Sequence, residues 1–79
     1  MTKTFLYADF NNADAQGRLR LNVRGTLDDL AGQGIQLEES MPIVVYDVEL
    51  EADGSAQFSK EEQIWVAVID WRVVRQKHA

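Results

Sequence analysis

The chain has 79 residues, a formal net charge of −5 and no cysteine. This length predicts one domain, 1–79, and the lack of cysteine excludes a disulfide framework or a thiolate metal site. The acidic balance disfavours indiscriminate binding to nucleic acid, and no apolar run reaches the roughly 18 residues that a membrane-spanning helix requires. We therefore expect a soluble cytoplasmic protein that hydrophobic packing alone stabilises.

Two strands are predicted near the N-terminus. Residues 4–10 are rich in aromatic and β-favouring side chains, and the polar stretch 11–17 that follows them is typical of a loop. Residues 18–24 alternate between polar and apolar side chains and are bounded by glycines, which predicts a half-buried strand. The polar side of this strand carries three arginines: Arg18, Arg20 and Arg24.

A short helix is predicted near 26–31. Thr26 is a suitable N-cap residue, and the next acidic side chains suit the positive end of a helix. Gly32 and Gly34 are expected to end this helix after one or two turns.

The C-terminal half predicts three more strands. Residues 41–50 are apolar at every even position from Val44 onwards, which predicts a strand. The pair Asp53-Gly54 is a strong hairpin signal, so residues 56–60 are expected to form the short return strand. Residues 64–69 then form a central strand, and the tail beyond them could add a short helical turn.

The last predicted strand is apolar on both faces, which raises the question of what covers the second one. Ile64, Val66 and Val68 alternate with Trp65, Ala67 and Ile69. One answer is that barrel curvature and the folded-back tail cover both faces, so that both tryptophans belong to the core. The other answer is a partner that covers a surface formed by Trp65 or Trp71 with Val73.

Five strands and one brief helix predict a mainly β fold, a small partly closed antiparallel barrel, which also removes exposed strand edges. With a turn leading to a long strand, a DG hairpin and a late tryptophan-bearing strand, the layout is similar to that of SH3-like small barrels. The acidic specificity loop, tandem tryptophans and terminal tyrosine of peptide-binding SH3 domains do not occur, so no site residues carry over from that family.

Enzyme signatures require residues that this chain lacks. The one histidine, His78, is next to last and is expected to be solvated, and without a partner residue it forms neither a triad nor a His/Cys metal cluster. The glycines form no phosphate-binding pattern, and no serine lies in a GxSxG elbow. We predict no enzymatic activity, no cofactor and no small-molecule substrate.

Four acids occupy alternate positions and could share one strand face: Asp47, Glu49, Glu51 and Asp53. The favoured interpretation is a solvated face that pairs with the arginine-bearing strand, through Glu49 and Glu51. Binding of a divalent cation is the alternative.

The favoured function is a non-enzymatic module for protein interaction or self-association. Its candidate contact residues are Trp65, Trp71 and Val73, because tryptophan is enriched at the buried centre of interfaces. The alternative is a nucleic-acid-binding small barrel that uses Arg18, Arg20 and Arg24, although no aromatic residue lies between these arginines.

Overall fold

The computed structural model describes residues 3–77, which form six strands, one α-helix and one turn of 3-10 helix. The fold is mainly β, a curled sheet with a single short α-helix, which confirms the predicted small, partly closed barrel. No helix within residues 3–77 is long and apolar enough to span a membrane. His78 lies outside the described residues. In chain order the elements are β1 (Phe5–Tyr7), β2 (Leu19–Arg20), α1 (Arg24–Gln33), β3 (Pro42–Tyr46), β4 (Leu50–Ser59), β5 (Ile64–Ile69), the 3-10 turn (Trp71–Val73) and β6 (Arg75–Gln76).

The strands are ordered β1-β3-β4-β5-β2 across the sheet. The long strand β4 pairs with β3 along its first half and with β5 along its second, and β6 pairs with its first two residues. The pair β1–β3 is parallel within an otherwise antiparallel sheet. The chain passes through β2 and α1 between these two strands, which provides the long connection that a parallel pair needs.

The segment that follows β1 closes the opposite edge of the sheet. The backbone N–H of Arg20 donates to the carbonyl of Asn12 at 3.1 Å, and the N–H of Asp14 donates to the carbonyl of Arg18 at 2.8 Å. The N-terminal segment therefore pairs with β3 at its start and with β2 at its end. This double pairing curls the sheet into a partly closed barrel.

The core lies on the concave side of the sheet. Side chains from all five principal strands meet there, and the small residues on β4 and β5 allow the two longest strands to approach closely. Leu30 of the helix and Val74 of the tail pack against this cluster from its margins. The core cluster consists of Leu6, Ala8, Phe10, Leu19, Leu21, Ile43, Val45, Ala52, Ala56 and Ala67.

The helix is longer than predicted and begins differently. It spans Arg24–Gln33, and Val23 rather than Thr26 is the N-cap residue. Thr26 is fully buried, and its hydroxyl is satisfied by donation to the carbonyl of Tyr7 on β1. Gly34 ends the helix in the left-handed conformation (φ 63°), as predicted, whereas Gly32 continues it.

The predicted hairpin at Asp53-Gly54 is wrong, because both residues lie inside β4. A Cβ atom at Gly54 would lie 2.5 Å from the carbonyl oxygen of Val68, so this glycine allows close strand approach instead of a turn. The turn lies between β3 and β4, where the carboxylate of Asp47 accepts the N–H groups of Glu49 and Leu50 at 2.8 and 2.7 Å. This local arrangement is an Asx-type turn.

The predicted strand over 18–24 is also shorter than expected. Only Leu19 and Arg20 form β2, although the N–H of Leu21 still donates to the carbonyl of Trp65. Helix α1 begins at Arg24, so the predicted stripe of three arginines does not exist on one strand.

The second face of β5 is covered by arginine side chains at its centre. Val66 points away from the core cluster, yet it is fully buried. It lies between Arg20 on β2 and Gln57 on β4, and Arg18 reaches across β5 to donate to Gln57 at 2.9 Å. The aliphatic parts of the two arginines therefore shield Val66. The sequence predicted that either the tail or a partner covers this face, but at Val66 neither of them does.

Candidate protein-interaction surface

The tail folds across one end of the barrel. Asp70 accepts the N–H of Arg72 at 3.0 Å and so begins the 3-10 turn directly after β5. Val74 packs against the core cluster, and Arg75 pairs with Glu51 in the sheet. The turn is consequently held on both sides, which fixes the position of the side chains that it carries.

Trp71 on this turn is 45% exposed but well anchored. Its indole N–H donates to the carbonyl of Gly17 at 2.8 Å, and its ring meets the ring of Phe10 edge-on, with centroids 6.2 Å apart. Gly17 has a positive φ of 79°, a conformation that favours glycine at this contact. One edge of the tryptophan therefore belongs to the barrel, while the remainder of the ring is presented to solvent.

Val73 lies two residues beyond Trp71 and is 56% exposed. The two side chains belong to the same turn, and we call them the barrel-end surface. Trp65 does not join them: it lies six residues before Trp71, roughly 20 Å away along an extended strand. Trp65 is half-buried, packs against the core cluster and contacts Phe58 edge-on at 5.5 Å.

Arg18, a candidate for nucleic-acid binding, is held in a polar network. Its guanidinium pairs with Asp14 at 2.8 Å and lies 3.7 Å from Glu61. Burial of the Asp14 carboxyl disfavours its charged form, but hydrogen bonds from the backbone N–H groups of Arg18 and Gln16 and from the Arg18 side chain outweigh that effect. The pKa of Asp14 therefore lies below its ordinary value.

Arg20 and Arg24 have carboxylate partners as well. Arg20 forms a two-pronged pair with Glu62, with distances of 2.7 and 2.8 Å, and its hydrogen bond lowers the pKa of that carboxyl. Arg24 on the helix lies 4.0 Å from Asp28. An incoming phosphate would have to displace a carboxylate from the guanidiniums of Arg18 and Arg20, so this arrangement does not favour a nucleic-acid site.

An open depression of about 420 Å³ lies beside Arg18. Phe58 forms an exposed apolar part of its wall, and the charged side chains around it have both signs. This mixture favours no particular class of ligand. The wall consists of Arg18, Glu39, Gln57, Phe58, Lys60 and Glu61.

The four alternating acids do not act as one group. Asp47 stabilises its turn, whereas Glu51 and Asp53 both contact the guanidinium of Arg75, at 2.8 and 3.4 Å. The predicted pairing of Glu49 and Glu51 with the arginines of residues 18–24 is therefore wrong, because the strands beside Glu51 are β3 and β6. Among residues 3–77, no group of three or more acids or histidines is arranged to hold a metal ion.

Sequence reasoning missed the contact between α1 and the outer edge of β1. Thr26, Asp29 and Gln33 lie at helical spacing i, i+3 and i+7, and their side chains bind backbone groups of Phe5 and Tyr7. The signal was present in the sequence as polar residues on one side of a helix, but that pattern is ordinarily a solvated face.

Tyr46 extends this contact from β3. Its hydroxyl donates to the carboxylate of Asp29 at 2.6 Å, and Lys77 of the tail lies 4.7 Å from the centre of its ring. The hydrogen bond to Asp29 and the partial burial of the phenol raise the pKa of Tyr46 to about 12. Tyr46 thus connects the sheet to both the helix and the tail.

No family model, curated protein or solved structure matches this chain. The similarity in layout to SH3-like barrels consequently stays a prediction.

Proposed function

We propose that this protein is a non-enzymatic interaction module that binds another protein through the barrel-end surface, Trp71 and Val73. The observation that carries the proposal is a tryptophan that is anchored by Phe10 and Gly17 and still leaves 45% of its surface exposed. Large aromatic rings of this kind dominate binding energy at protein interfaces.

The anchoring of Trp71 favours binding because it reduces the loss of side-chain entropy on association. The indole N–H already has an acceptor, so burial of the exposed ring leaves no polar group without a hydrogen bond. The ring is also fixed in one orientation by Phe10, and a partner therefore does not have to immobilise it. Val73 adds an exposed apolar side chain on the same rigid turn.

The charge of the chain indicates the chemistry of the partner. The chain has 13 acidic and 8 basic residues, and all five arginines have a carboxylate within 4.0 Å. The surplus charge offered to a partner is therefore negative. We infer a partner protein that presents an apolar pocket bordered by cationic side chains, because such a partner complements the net charge of −5.

The test compares Val73→Asp with Val48→Asp. Both substitutions add a charge at an exposed valine, but Val48 lies at the β3–β4 turn, where the tail reaches it through Lys77 and not through the 3-10 turn, and is 85% exposed. In affinity capture, the protein of interest binds immobilised wild type and immobilised Val48→Asp but not immobilised Val73→Asp. That protein would be purified. Titration of that protein should then shift the indole N–H resonance of Trp71 and leave that of Trp65 unchanged.

A purified partner that binds Val73→Asp as tightly as the wild type, or that leaves the Trp71 resonance unmoved, would contradict the proposal. Both variants should remain folded, because each changed side chain is solvent-exposed.

A further inference from the structure

We propose that α1 covers the outer edge of β1 and can detach from it, and that the exposed edge then pairs with the β1 strand of a second copy of this chain. This inference is independent of the barrel-end surface. The backbone groups of successive residues in β1 point alternately towards β3 and away from it. Thr4 and Ala8 bond to β3, through the Thr4 carbonyl to Val44 and the Ala8 N–H to Tyr46, so the groups of Phe5 and Tyr7 point away from the sheet.

The helix satisfies three of these four outward groups with side chains. The carboxylate of Asp29 accepts the N–H of Tyr7 at 2.9 Å, and the hydroxyl of Thr26 donates to the carbonyl of the same residue. The amide of Gln33 donates to the carbonyl of Phe5 at 3.0 Å. These three bonds, which we call the edge latch, stand where the backbone of another strand would otherwise bind.

Beyond the edge latch, α1 is held by the hydrogen bond from Tyr46 and by few apolar contacts. Leu30 packs against the core cluster, but Leu27 is 53% exposed. Gly25 and Gly32 lie inside the helix and lower its intrinsic stability. Within residues 3–77, no side chain caps the helix at Val23. A helix held mainly by a few polar side chains belongs to the part of a protein that opens most readily.

The sequence of β1 is complementary to itself in one antiparallel register. If Leu6 lies opposite Leu6 of the second copy, then Phe5 lies opposite Tyr7, and their four hydrogen bonds use the outward groups of both residues, three of which the edge latch now holds. The same register places Lys3 opposite Asp9, so opposite charges meet at both ends of the pair. The arrangement is a twofold-symmetric extension of the sheet.

The experiment begins with a latch-deficient variant, Asp29→Ala with Gln33→Ala, which removes two latch bonds and the bond from Tyr46 while alanine favours the helix itself. Each lost bond favours release of the helix, so the dissociation constant of the dimer should fall at least about tenfold by sedimentation. The matched control is Asp28→Ala, which removes an exposed carboxylate from the same helix and should leave the dissociation constant unchanged.

Charge reversal tests the register. In the latch-deficient background, Lys3→Glu and Asp9→Lys should each reduce dimerisation, because like charges then lie opposite one another. A mixture of the two variants should dimerise again, since both of its end pairs are attractive. Trp71→Ser in this background should leave the dimer intact, which separates this edge from the barrel-end surface.

The proposal is overturned if the folded latch-deficient variant remains as monomeric as the wild type, or if the charge-reversed mixture dimerises no better than its components. If the latch-deficient variant does not fold, the two charge variants are mixed in the chain with an intact latch at millimolar concentration. Selective pairing of the mixture then supports the proposal, and its absence refutes it.

Discussion

The two edges of the curled sheet are covered in different ways. At the β2 edge, the loop before the strand provides backbone hydrogen bonds from Asn12 and Asp14. At the β1 edge, α1 provides side-chain bonds from residues 19 to 28 positions away in the chain. The first cover is short-range and uses the peptide groups themselves, whereas the second depends on the helix staying in place.

The β2 edge is therefore closed permanently, whereas the β1 edge opens when α1 detaches. The loop at the β2 edge is held by backbone bonds to the strand, and its own Ala13 packs against the core cluster. The helix can leave while β1 keeps its ladder to β3, since the latch uses only the outward groups of Phe5 and Tyr7. Strand edges therefore need not be protected equally, even in a domain of this size.

The largest expected effect concerns the leucine side chain that packs into the core at each edge. Leu19→Ala should lower the free energy of unfolding by about 3 kcal/mol, because it leaves a cavity at a fully buried position. Leu30→Ala should cost about 1.5 kcal/mol, since this side chain is only partly buried. Urea denaturation measures both values, and equal losses would remove the distinction between the two edges.

The next effect compares the carboxylate at each edge. Asp14→Asn should cost about 2 kcal/mol, because the amide cannot replace the charged pair with Arg18. Asp29→Asn should cost less, about 0.5 kcal/mol, since its carbonyl oxygen can still accept the bonds from Tyr7 and Tyr46. Denaturation at neutral pH gives the two values, and the account fails here if their order is reversed.

Asp14 also predicts a pH dependence. Its folded-state pKa is depressed, so its contribution is complete above the ordinary aspartate pKa of about 4 and is lost as the pH falls through the folded value. The stability of the wild type should therefore fall more steeply below about pH 4 than that of Asp14→Asn. Parallel pH profiles would show that the ion pair contributes nothing.

The expected effect at Tyr46 is also small and lies between those at the two aspartates. Tyr46→Phe should cost about 1 kcal/mol through loss of the hydrogen bond to Asp29. The folded-state pKa of Tyr46, about 12, lies above the ordinary value of 10.0, so the contribution is complete below pH 10 and is lost as the pH rises towards 12. The difference in tyrosinate absorbance between wild type and variant reports this titration. A difference that titrates at the ordinary tyrosine pKa would contradict the bond.

The sequence predicted the elements whose pattern is local. The β5 strand was predicted with its observed bounds, and Gly34 ends the helix as expected. The hairpin was misplaced because Gly54 is required by the neighbouring strand, which a local turn signal does not reveal. The edge latch was missed for the same reason, because its partners on β1 are distant in the sequence.

Among the predicted site residues, the outcome depended on the direction of each side chain. Trp71 and Val73 share an exposed turn, but Trp65 faces the core, and alternation alone could not say which face of β5 was concave. The arginines were predicted from their alternation, whereas their carboxylate partners lie in a loop and after β4. Charge pairing across distant segments is decided by topology, so these partners required the structure.

Native-state hydrogen exchange of three backbone amides tests the difference between the edges most directly. The N–H of Tyr7 binds Asp29, that of Ala8 binds Tyr46 within the sheet, and that of Arg20 binds Asn12 at the other edge. We predict that Tyr7 exchanges at least about tenfold faster than Ala8 and Arg20, with little dependence on denaturant, because α1 can open while both strands remain paired. Protection of Tyr7 equal to that of Ala8 and Arg20 would contradict the account, since the helix would then leave only when the whole domain unfolds.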